Sequence, residues 1–502
     1  MQHDDDTARA SLAGTGSPGL DDVLGGGLTA NRLYLIEGDP GTGKTTLGLQ
    51  FLLAGVAAGE TAVYVSLSET RDELEAVAQS HGWSLAGITV SELAPSEEAL
   101  TADAENTLFH PSELELGETT RTVLRDVERV KPRRVVIDSL SELRLLAANP
   151  LRYRRQILAL KQFFVGRRCT VVLLDDRTST VSDLQLQSIA HGVLSLERRS
   201  PEYGVMQRRL QVLKMRGKPF RAGYHDYKIV RGGLRVFPRL IAAEHHDPYP
   251  PESMKSGLPG LDELLGGGLD RGTSTLLVGP AGSGKSSLTA QYAAAAAARG
   301  ERAAFFLFDE GRATFMTRAA ALGLDVVAPL ASGLMTIDQI DPGAISPGEF
   351  VQLVRQAVEE GARVIVIDSL NGYLNATPEA RFLAIQLHEL LMYLGQRGVL
   401  TLLVMAQHGL IGAMDTPADA SYLADTIVLL RFFEAQGRVR QAISVLKKRS
   451  GNHERTIREI ELRTGGIRIG EPLAAFQGVL TGVPRYVGKT LPIDEPLPDV
   501  PA

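Results

Sequence analysis

One glycine-rich pattern occurs twice in this chain, and it restricts the possible folds more than any other feature. Residues 38–46 and 279–287 both fit G-x-x-x-x-G-K-[ST] at every fixed position. Their lysines, Lys44 and Lys285, are 285 − 44 = 241 residues apart, and matching segments upstream of each copy keep the same offset. A period this long is the length of a whole domain rather than of a small repeat. The sequence therefore predicts two duplicated domains.

Each copy of the pattern lies between an apolar run and a segment with apolar residues at helical spacing, which predicts a strand, a loop and a helix. Glycines let such a loop turn its backbone N–H groups toward phosphate oxygens, and the helix N-terminus adds a positive dipole. The sequence thus predicts ATP and Mg²⁺ as cofactors, with the lysine on the β- and γ-phosphates. The predicted nucleotide-binding residues are Gly38, Asp39, Gly41, Thr42, Gly43, Lys44, Thr45 and Thr46 in the first copy, and Gly279, Gly282, Ser283, Gly284, Lys285, Ser286 and Ser287 in the second.

Two further apolar runs, one in each repeat, end in a single aspartate, Asp138 and Asp368. An aspartate at the end of a buried strand, downstream of such a loop, is typical of the residue that holds Mg²⁺ through water. The hydroxyl that follows each loop lysine is the second expected contact. The sequence therefore predicts metal sites made by Thr45 with Asp138 and by Ser286 with Asp368.

Strands alternate with helices in both repeats, which predicts an α/β fold with two tandem P-loop domains. Each domain is expected to be a mostly parallel sheet covered by helices on both faces. The expected boundaries are a disordered N-terminus over residues 1–13, a first domain over 14–243, a linker over 244–254, a second domain over 255–486 and a flexible tail over 487–502.

Composition narrows the classes of function. The net charge of −6 provides no general attraction to nucleic acid or to an anionic membrane. Cys169 is the single cysteine, so no intrachain disulfide can form. The N-terminus is acidic, no apolar segment follows it, and no apolar stretch is long enough to span a bilayer. These features predict a cytoplasmic protein that does not bind membranes.

Several longer motifs resemble the KaiC family of circadian-clock ATPases. They are S-P-G-L-D before the first loop, K-M-R-G at the end of the first repeat, and D-T-I-V-L-L and G-N-H-E-R-T-I-R-E in the second. The resemblance extends from Thr15 to about Tyr486. It implies RecA-like domains, a homo-hexamer of two rings with ATP bound between subunits, and regulatory protein partners that the sequence does not identify.

The resemblance also implies catalytic carboxylates at the end of the second strand of each repeat. In the family, two adjacent glutamates polarise the attacking water or hydroxyl, and the matching positions are Ser68-Glu69 and Asp309-Glu310. Ser68 departs from the pattern, and a hydroxyl near neutral pH is a poor base. The first repeat therefore keeps only Glu69, and we expect it to hydrolyse ATP less readily than the second.

Two basic pairs, Lys214 with Arg216 and Lys447 with Arg449, close the two repeats. Alternating side chains on a strand place both members of each K-x-R pair on one face. By resemblance, these residues reach the γ-phosphate bound to the adjacent subunit, as arginine fingers do.

In the KaiC family, hydroxyl residues just before the last core strand of the second repeat receive phosphate. Counting back from Asp425, those positions are Ser421 and Tyr422. The resemblance thus implies slow ATP hydrolysis together with serine/threonine-type autokinase activity in a signalling or circadian role. The alternative for Ser421 and Tyr422 is an ordinary pair of residues before a strand, where hydroxyl side chains are common.

Two other functions stay open, and neither requires a different fold. A nucleic-acid-dependent motor or recombinase finds support in Arg152, Arg154 and Arg155 around Tyr153, because basic residues beside an aromatic can bind single strands. The acidic net charge makes nucleic acid an improbable partner. A nucleotide-gated hexameric scaffold is the other alternative. Dinucleotide binding is disfavoured, because a loop that ends in G-K-[ST] suits a triphosphate with Mg²⁺.

Overall fold

A computed structural model divides the chain into two compact units, Met1–Arg239 and Leu240–Ala502. Each unit contains one copy of the duplicated pattern. The structure describes residues 11–93, 111–147, 149–177, 184–201, 204–375, 380–407, 422–435, 437–480 and 484–488.

The first unit is built on one nine-stranded sheet. Its order is β11-β10-β9-β8-β3-β7-β6-β4-β5, and the half from β8 to β5 is parallel. Strand β3, which leads into the first glycine-rich loop, lies inside that half. Its carboxyl end therefore lies at the same edge of the sheet as the carboxyl ends of β7, β6 and β4. The strands of this unit are β1 (Leu12–Ala13), β2 (Leu28–Thr29), β3 (Leu33–Gly38), β4 (Ala62–Ser66), β5 (Ile88–Glu92), β6 (Arg134–Asp138), β7 (Thr170–Asp176), β8 (Gly192–Arg199), β9 (Gln207–Met215), β10 (Tyr224–Val230) and β11 (Gly233–Phe237).

Helices cover both faces of this sheet. Along β3, Leu33 and Leu35 join the buried cluster on one face, whereas Tyr34 and Ile36 join the cluster on the other. A strand buried on both faces reads as a continuous apolar run, as this one does. The helices are α1 (Pro18–Val23), α2 (Lys44–Ala57), α3 (Arg71–Ser80), α4 (Pro111–Val130), α5 (Leu140–Ala147), α6 (Pro150–Phe164) and α7 (Leu184–Ile189).

The second unit repeats this plan. Its main sheet has the order β16-β15-β17-β18-β14-β19-β20-β21-β22 and is parallel from β16 to β19. The loop strand β14 again has parallel neighbours on both sides. The strands are β12 (Ser253–Met254), β13 (Leu269–Asp270), β14 (Ser274–Gly279), β15 (Arg302–Leu307), β16 (Met335–Gln339), β17 (Ala362–Asp368), β18 (Leu400–Ala406), β19 (Thr426–Ala435), β20 (Arg438–Lys448), β21 (Ile457–Arg463), β22 (Gly466–Pro472), β23 (Phe476–Gln477) and β24 (Arg485–Tyr486).

Two buried clusters again lie on opposite faces, with Leu276 and Val278 in one and Leu277 in the other. The predicted fold class, two α/β P-loop domains with mostly parallel sheets covered on both faces, is confirmed. No helix in the described ranges combines the length and apolar character needed to cross a membrane. A 3₁₀ turn spans Ala242–Glu244, and the helices are α8 (Pro259–Leu264), α9 (Lys285–Ala298), α10 (Arg312–Ala321), α11 (Val327–Ser332), α12 (Pro347–Glu359), α13 (Leu370–Asn375) and α14 (Ala380–Gln396).

Two short strands lie where the sequence suggested irregular chain. Leu12–Ala13, within the expected disordered N-terminus, pairs with Leu28–Thr29. Ser253–Met254, within the expected linker, pairs with Leu269–Asp270. In both places an apolar residue becomes buried, Ala13 at 5% and Met254 at 3% exposure, and antiparallel pairing satisfies the backbone. The remaining boundaries stay predictions, and most of the expected tail, residues 489–502, lies outside the described residues.

Candidate nucleotide sites

The first glycine-rich loop folds back over its own lysine. It connects β3 to α2, and Gly43 just before the helix has φ 92°, a left-handed conformation that favours glycine. Lys44 Nζ donates to the carbonyl oxygens of Gly38 at 2.8 Å and Asp39 at 3.1 Å. The ammonium group is thereby held at the mouth of the loop, where the helix N-terminus also points.

The second loop has the same geometry. Gly284 has φ 100°, and Lys285 Nζ donates to Gly279 O at 2.8 Å and Pro280 O at 2.6 Å. Burial lowers the pKa of Lys285 to about 8. A buried ammonium that makes no ion pair with any described residue favours an anionic ligand, and phosphate groups supply that charge.

The predicted metal pairs are brought together in both units. Thr45 Oγ1 donates to Asp138 Oδ2 at 2.8 Å, and the Tyr64 hydroxyl donates to the same oxygen at 2.5 Å. In the second unit, Ser286 and Asp368 line the same cavity, and the Ser286 hydroxyl acts to lower the pKa of the Asp368 carboxyl. Burial raises the pKa of both aspartates, and these hydrogen bonds oppose that shift.

These pairs fit Mg²⁺. A hydroxyl beside a carboxylate supplies hard oxygen ligands, and Mg²⁺ usually takes one or two carboxylates plus water and substrate phosphates. The described residues contain no group of three or more His, Cys, Asp or Glu side chains placed to hold a metal alone. The fit is therefore to a cation that arrives with a nucleotide.

Glu69 is the candidate base of the first site. It follows β4 and is half-buried, whereas the neighbouring Ser68 is exposed. Its Oε2 atom is buried and accepts no hydrogen bond from the described residues. Burial, followed by the charges of Asp138, Glu73 and Asp176, raises the pKa of Glu69 to about 6. A carboxylate with this pKa is well matched to proton transfer near neutral pH.

Both candidate carboxylates of the second site already have partners. The Ser369 hydroxyl donates to Asp309 Oδ2. Arg318 donates to the two oxygens of Glu310, from Nη2 at 2.5 Å and from Nε at 3.2 Å. Arg318 Nη1 also lies 3.4 Å from the hydroxyl of Ser287 in the P-loop helix. Glu310 is thus an ion-paired carboxylate in this conformation.

Eight of the residues predicted for the second site line one cavity of about 610 Å³, whereas Gly279 and Ser283 do not line it. A cation beside the loop lysine was not anticipated from the sequence. This cation is Arg318, which lines the cavity. The predicted residues that line the cavity are Gly282, Gly284, Lys285, Ser286, Ser287, Asp309, Glu310 and Asp368.

Sequence reasoning missed two charged residues of these sites. Asp176 ends β7, and its Oδ1 lies 2.6 Å from Lys44 Nζ. It follows an apolar run as Asp138 does, so the same strand-end pattern could have identified it. Arg318 lies eight residues beyond Glu310 on a helix, since 318 − 310 = 8, and no motif marks it.

The basic pairs contact backbone rather than phosphate-loop residues. Lys214 Nζ donates to Gln187 O at 2.6 Å and Ala190 O at 2.8 Å, and Arg216 Nη2 donates to Ser188 O at 2.9 Å. Both side chains therefore point toward the end of α7. The two members of this K-x-R pair thus lie on the same side of the chain. Burial, followed by the charge of Arg216, lowers the pKa of Lys214.

The second basic pair contacts the stretch before β19. Lys447 Nζ donates to Ala424 O at 2.7 Å. Arg449 donates to Asp425 Oδ1 at 3.2 Å and to the carbonyl of Tyr422 at 3.1 Å. Neither side chain lines the cavity at the second P-loop of its own chain. This placement is compatible with action on a neighbouring subunit.

Of the two predicted phosphoacceptors, Ser421 lies outside the described residues. Tyr422 is 56% exposed, so its side chain is accessible to solvent. The carbonyl of Tyr422, rather than its ring, is the group bound by Arg449.

The aromatic residue that supported nucleic-acid binding is buried. Tyr153 is 3% exposed, and the guanidinium of Arg144 lies 5.3 Å from its ring centroid. Stacking on a nucleic-acid base requires an accessible ring face. Arg152, Arg154 and Arg155 are exposed around it and form a solvated basic face.

Two parallel-sheet domains with matching phosphate loops, strand-end aspartates and nearby carboxylates define the P-loop ATPase class. The family model "ATPase: KaiC" matches residues 13–241 and 254–474. The chain therefore belongs to the KaiC ATPase family.

Named relatives are similar over nearly the whole chain. "Circadian clock protein KaiC3" of Synechocystis sp. is 25% identical over 489 residues, which cover 95% of each chain. "Circadian clock oscillator protein KaiC" of Synechococcus elongatus is 26% identical over 489 residues, 93% of this chain and 91% of the relative. The protein of that name from Parathermosynechococcus lividus is 25% identical over 489 residues, 94% and 88% of the two chains.

Proposed function

We propose that this chain binds ATP with Mg²⁺ in both domains, hydrolyses it slowly and phosphorylates itself in the second domain. The observation that carries the proposal is the cavity beside the second P-loop, which gathers a lysine, a hydroxyl–aspartate pair and two further carboxylates. A phosphate site, a metal site and a proton acceptor in one enclosure are the parts that phosphoryl transfer needs. The names of the similar proteins suggest a circadian or signalling role.

In the first site, Lys44 and the loop N–H groups would bind the triphosphate. Thr45, and Asp138 through water, would hold Mg²⁺, which would supply positive charge against the phosphates. Glu69 would accept a proton from the attacking water as the bond to the γ-phosphorus forms and the bond to the β,γ-bridging oxygen breaks, which leaves ADP and phosphate. The raised pKa of Glu69 supports this role. Ser68 offers no second base, so we expect slower turnover here than in the second site.

In the second site, a hydroxyl of the neighbouring subunit would replace water. Its oxygen forms the new bond to phosphorus, ADP leaves, and Asp309 or Glu310 takes the hydroxyl proton. We propose Ser421 as the principal acceptor and Tyr422 as the lesser one. The tyrosine oxygen lies roughly 6.5 Å from its own Cα, so one rigid site should not serve both.

We propose a homo-hexamer in which ATP lies between subunits. Lys214 with Arg216, and Lys447 with Arg449, would reach the γ-phosphate of the adjacent subunit. A site completed by a neighbour favours closed rings. Regulatory proteins are the expected partners, and the cytoplasmic location remains a prediction.

The experiment is incubation of the purified full chain with Mg·ATP, measuring ADP release and mapping phosphopeptides. Ser421→Ala should remove most incorporated phosphate, and Tyr422→Phe should remove little. Unchanged phosphate in Ser421→Ala would defeat the acceptor assignment, and no phosphate in the wild type would reduce the protein to an ATPase. Turnover stimulated by single-stranded DNA, with salt-dependent binding, would favour a nucleic-acid motor.

Assembly is tested separately by mass photometry with and without a non-hydrolysable ATP analogue. A hexamer with the analogue is the expected result. A monomer in both conditions would exclude the proposed action of the basic pairs on a neighbouring subunit.

A further inference from the structure

The first site contains a carboxylate that binds the P-loop lysine directly. Asp176 Oδ1 lies 2.6 Å from Lys44 Nζ, and the two side chains are 26% and 7% exposed. The other oxygen of Asp176 accepts a hydrogen bond from Ser141 Oγ on α5 at 3.3 Å. Asp176 is therefore fixed between the loop lysine and a helix of the same domain.

The second site has no such group at the equivalent position. Pairing of β3 with β7 places Asp176 opposite Gly38, and pairing of β14 with β18 places Ala406 opposite Gly279. Ala406 lines the second cavity, so this strand position faces the nucleotide site. Within the described residues, Lys285 bonds the same two loop carbonyls as Lys44 does and makes no ion pair.

An ammonium group has three N–H donors. Lys44 directs them to Gly38 O, Asp39 O and Asp176. A phosphate oxygen that binds Lys44 must therefore replace one of these acceptors, and the carboxylate is the one on a separate strand. A carboxylate left beside a bound triphosphate would also repel its negative charge, and partial burial strengthens that repulsion.

We infer that Asp176 competes with the terminal phosphates of the nucleotide for Lys44 and so weakens triphosphate binding in the first site relative to the second. The inference rests on the proposed nucleotide binding at both loops. Asp176 acts through Lys44 and is a positioning residue. Its consequence is a first site that exchanges nucleotide faster than the second.

The test measures the affinity of one site at a time in the full chain. A Lys285→Ala background isolates the first site, and a fluorescent non-hydrolysable ATP analogue is titrated with Mg²⁺. Asp176→Asn keeps the shape of the side chain and removes its charge. We expect the dissociation constant to fall about tenfold, the size of effect typical of one close charge pair.

Asp175→Asn is the matched control. It removes a charge one residue away on the same strand, where the carboxylate pairs with Arg144 at 2.5 Å instead of with Lys44. We expect its affinity for the analogue to match the background protein. An equal gain in both variants would overturn the inference, because the effect would then be general electrostatics.

The reverse substitution tests the idea without removing any native contact. Ala406→Asp in a Lys44→Ala background should weaken analogue binding at the second site about tenfold. If the wild type binds the analogue normally but Asp176→Asn binds it no more tightly, the inference about Asp176 is overturned and the proposed function is not affected. Failure of the wild type to bind the analogue at either loop would overturn the proposed function as well.

Discussion

The first site pairs its P-loop lysine with a carboxylate, whereas the second pairs a candidate base with an arginine. Lys44 is bound to Asp176 while Glu69 keeps an oxygen without a partner among the described residues. Glu310 is bound to Arg318, while Lys285 donates to two loop carbonyls. On the proposed functions of these residues, the same framework weakens nucleotide binding in one copy and proton transfer in the other.

The two copies share the backbone and the hydroxyl–aspartate pairs but differ in the charges around them. Asp176 and Arg318 occupy positions that carry Ala406 and Val77 in the other copy, the latter because 318 − 77 = 241. Single substitutions at these positions can therefore make one site resemble the other.

The largest expected effect separates the roles of the two loops. Lys285→Ala should lower phosphate incorporation about 10³-fold, because the transferring phosphate loses its fixed cation. Lys44→Ala should instead chiefly weaken analogue-dependent assembly, and it should lower phosphorylation only as far as assembly is lost, because the acceptor hydroxyl comes from a neighbouring subunit. Phosphopeptide mapping and mass photometry on both proteins give the result. Equal losses of phosphorylation in the two variants would contradict the proposal that the first site serves assembly and the second site serves phosphoryl transfer.

The next effect concerns the base of the first site. In a Lys285→Ala background, Glu69→Gln should lower ATP turnover about 10²-fold, since a general base contributes at least that much. The base must be ionised, so turnover with Glu69 should rise with pH through about 6 and level off above it. Stopped assays from pH 5 to 8 test both points. Ser68→Ala is the matched control and should leave the pH profile unchanged.

A smaller effect tests the ion pair of the second site. In a Lys44→Ala background, Arg318→Gln should raise ATP turnover about fivefold, because Glu310, no longer held by the guanidinium, becomes available to accept the proton. Arg312→Gln, an exposed substitution on the same helix, is the control. A fall in turnover specific to Arg318→Gln would mean that this arginine binds phosphate directly.

The smallest effect concerns one hydroxyl. Tyr64 donates to Asp138, and the equivalent residue of the second copy is Phe305, since 305 − 64 = 241. Tyr64→Phe should lower the free energy of unfolding of the first domain by about 1 kcal/mol, the net contribution of one hydrogen bond. The melting transition of the first domain should then fall by about 2–4 °C in calorimetry. A shift in the transition of the second domain would contradict the assignment.

The sequence was sufficient to predict those site residues whose positions depend on a local pattern of neighbouring residues. A glycine-rich loop between a strand and a helix has few alternative shapes, so the positions of Lys44 and Lys285 followed from the pattern. Asp138 and Asp368 followed because the carboxyl ends of parallel strands share one edge of a sheet.

The remaining parts depend on contacts that no local pattern records. Asp176 reaches Lys44 because β7 lies beside β3, more than a hundred residues away along the chain. Arg318 reaches Glu310 because helical side chains point back toward the N-terminus of their helix, and Glu310 lies just before α10. The short strand Leu12–Ala13 was missed because two residues are too few to show a periodicity.

Arg449 connects two ends of the short stretch that precedes β19. It bonds the carbonyl of Tyr422 and the carboxylate of Asp425, while 54% of its side chain faces solvent. A guanidinium presents five N–H donors in a fixed plane, so one group can grip this backbone and also touch an anion outside the chain. In a closed ring, hydrolysis of the nucleotide bound to one subunit would then change the position of Arg449 in the next subunit. Arg449 would in turn move the stretch that precedes β19 in its own chain. A conformational change at one nucleotide site would therefore be passed from subunit to subunit in one direction around the ring.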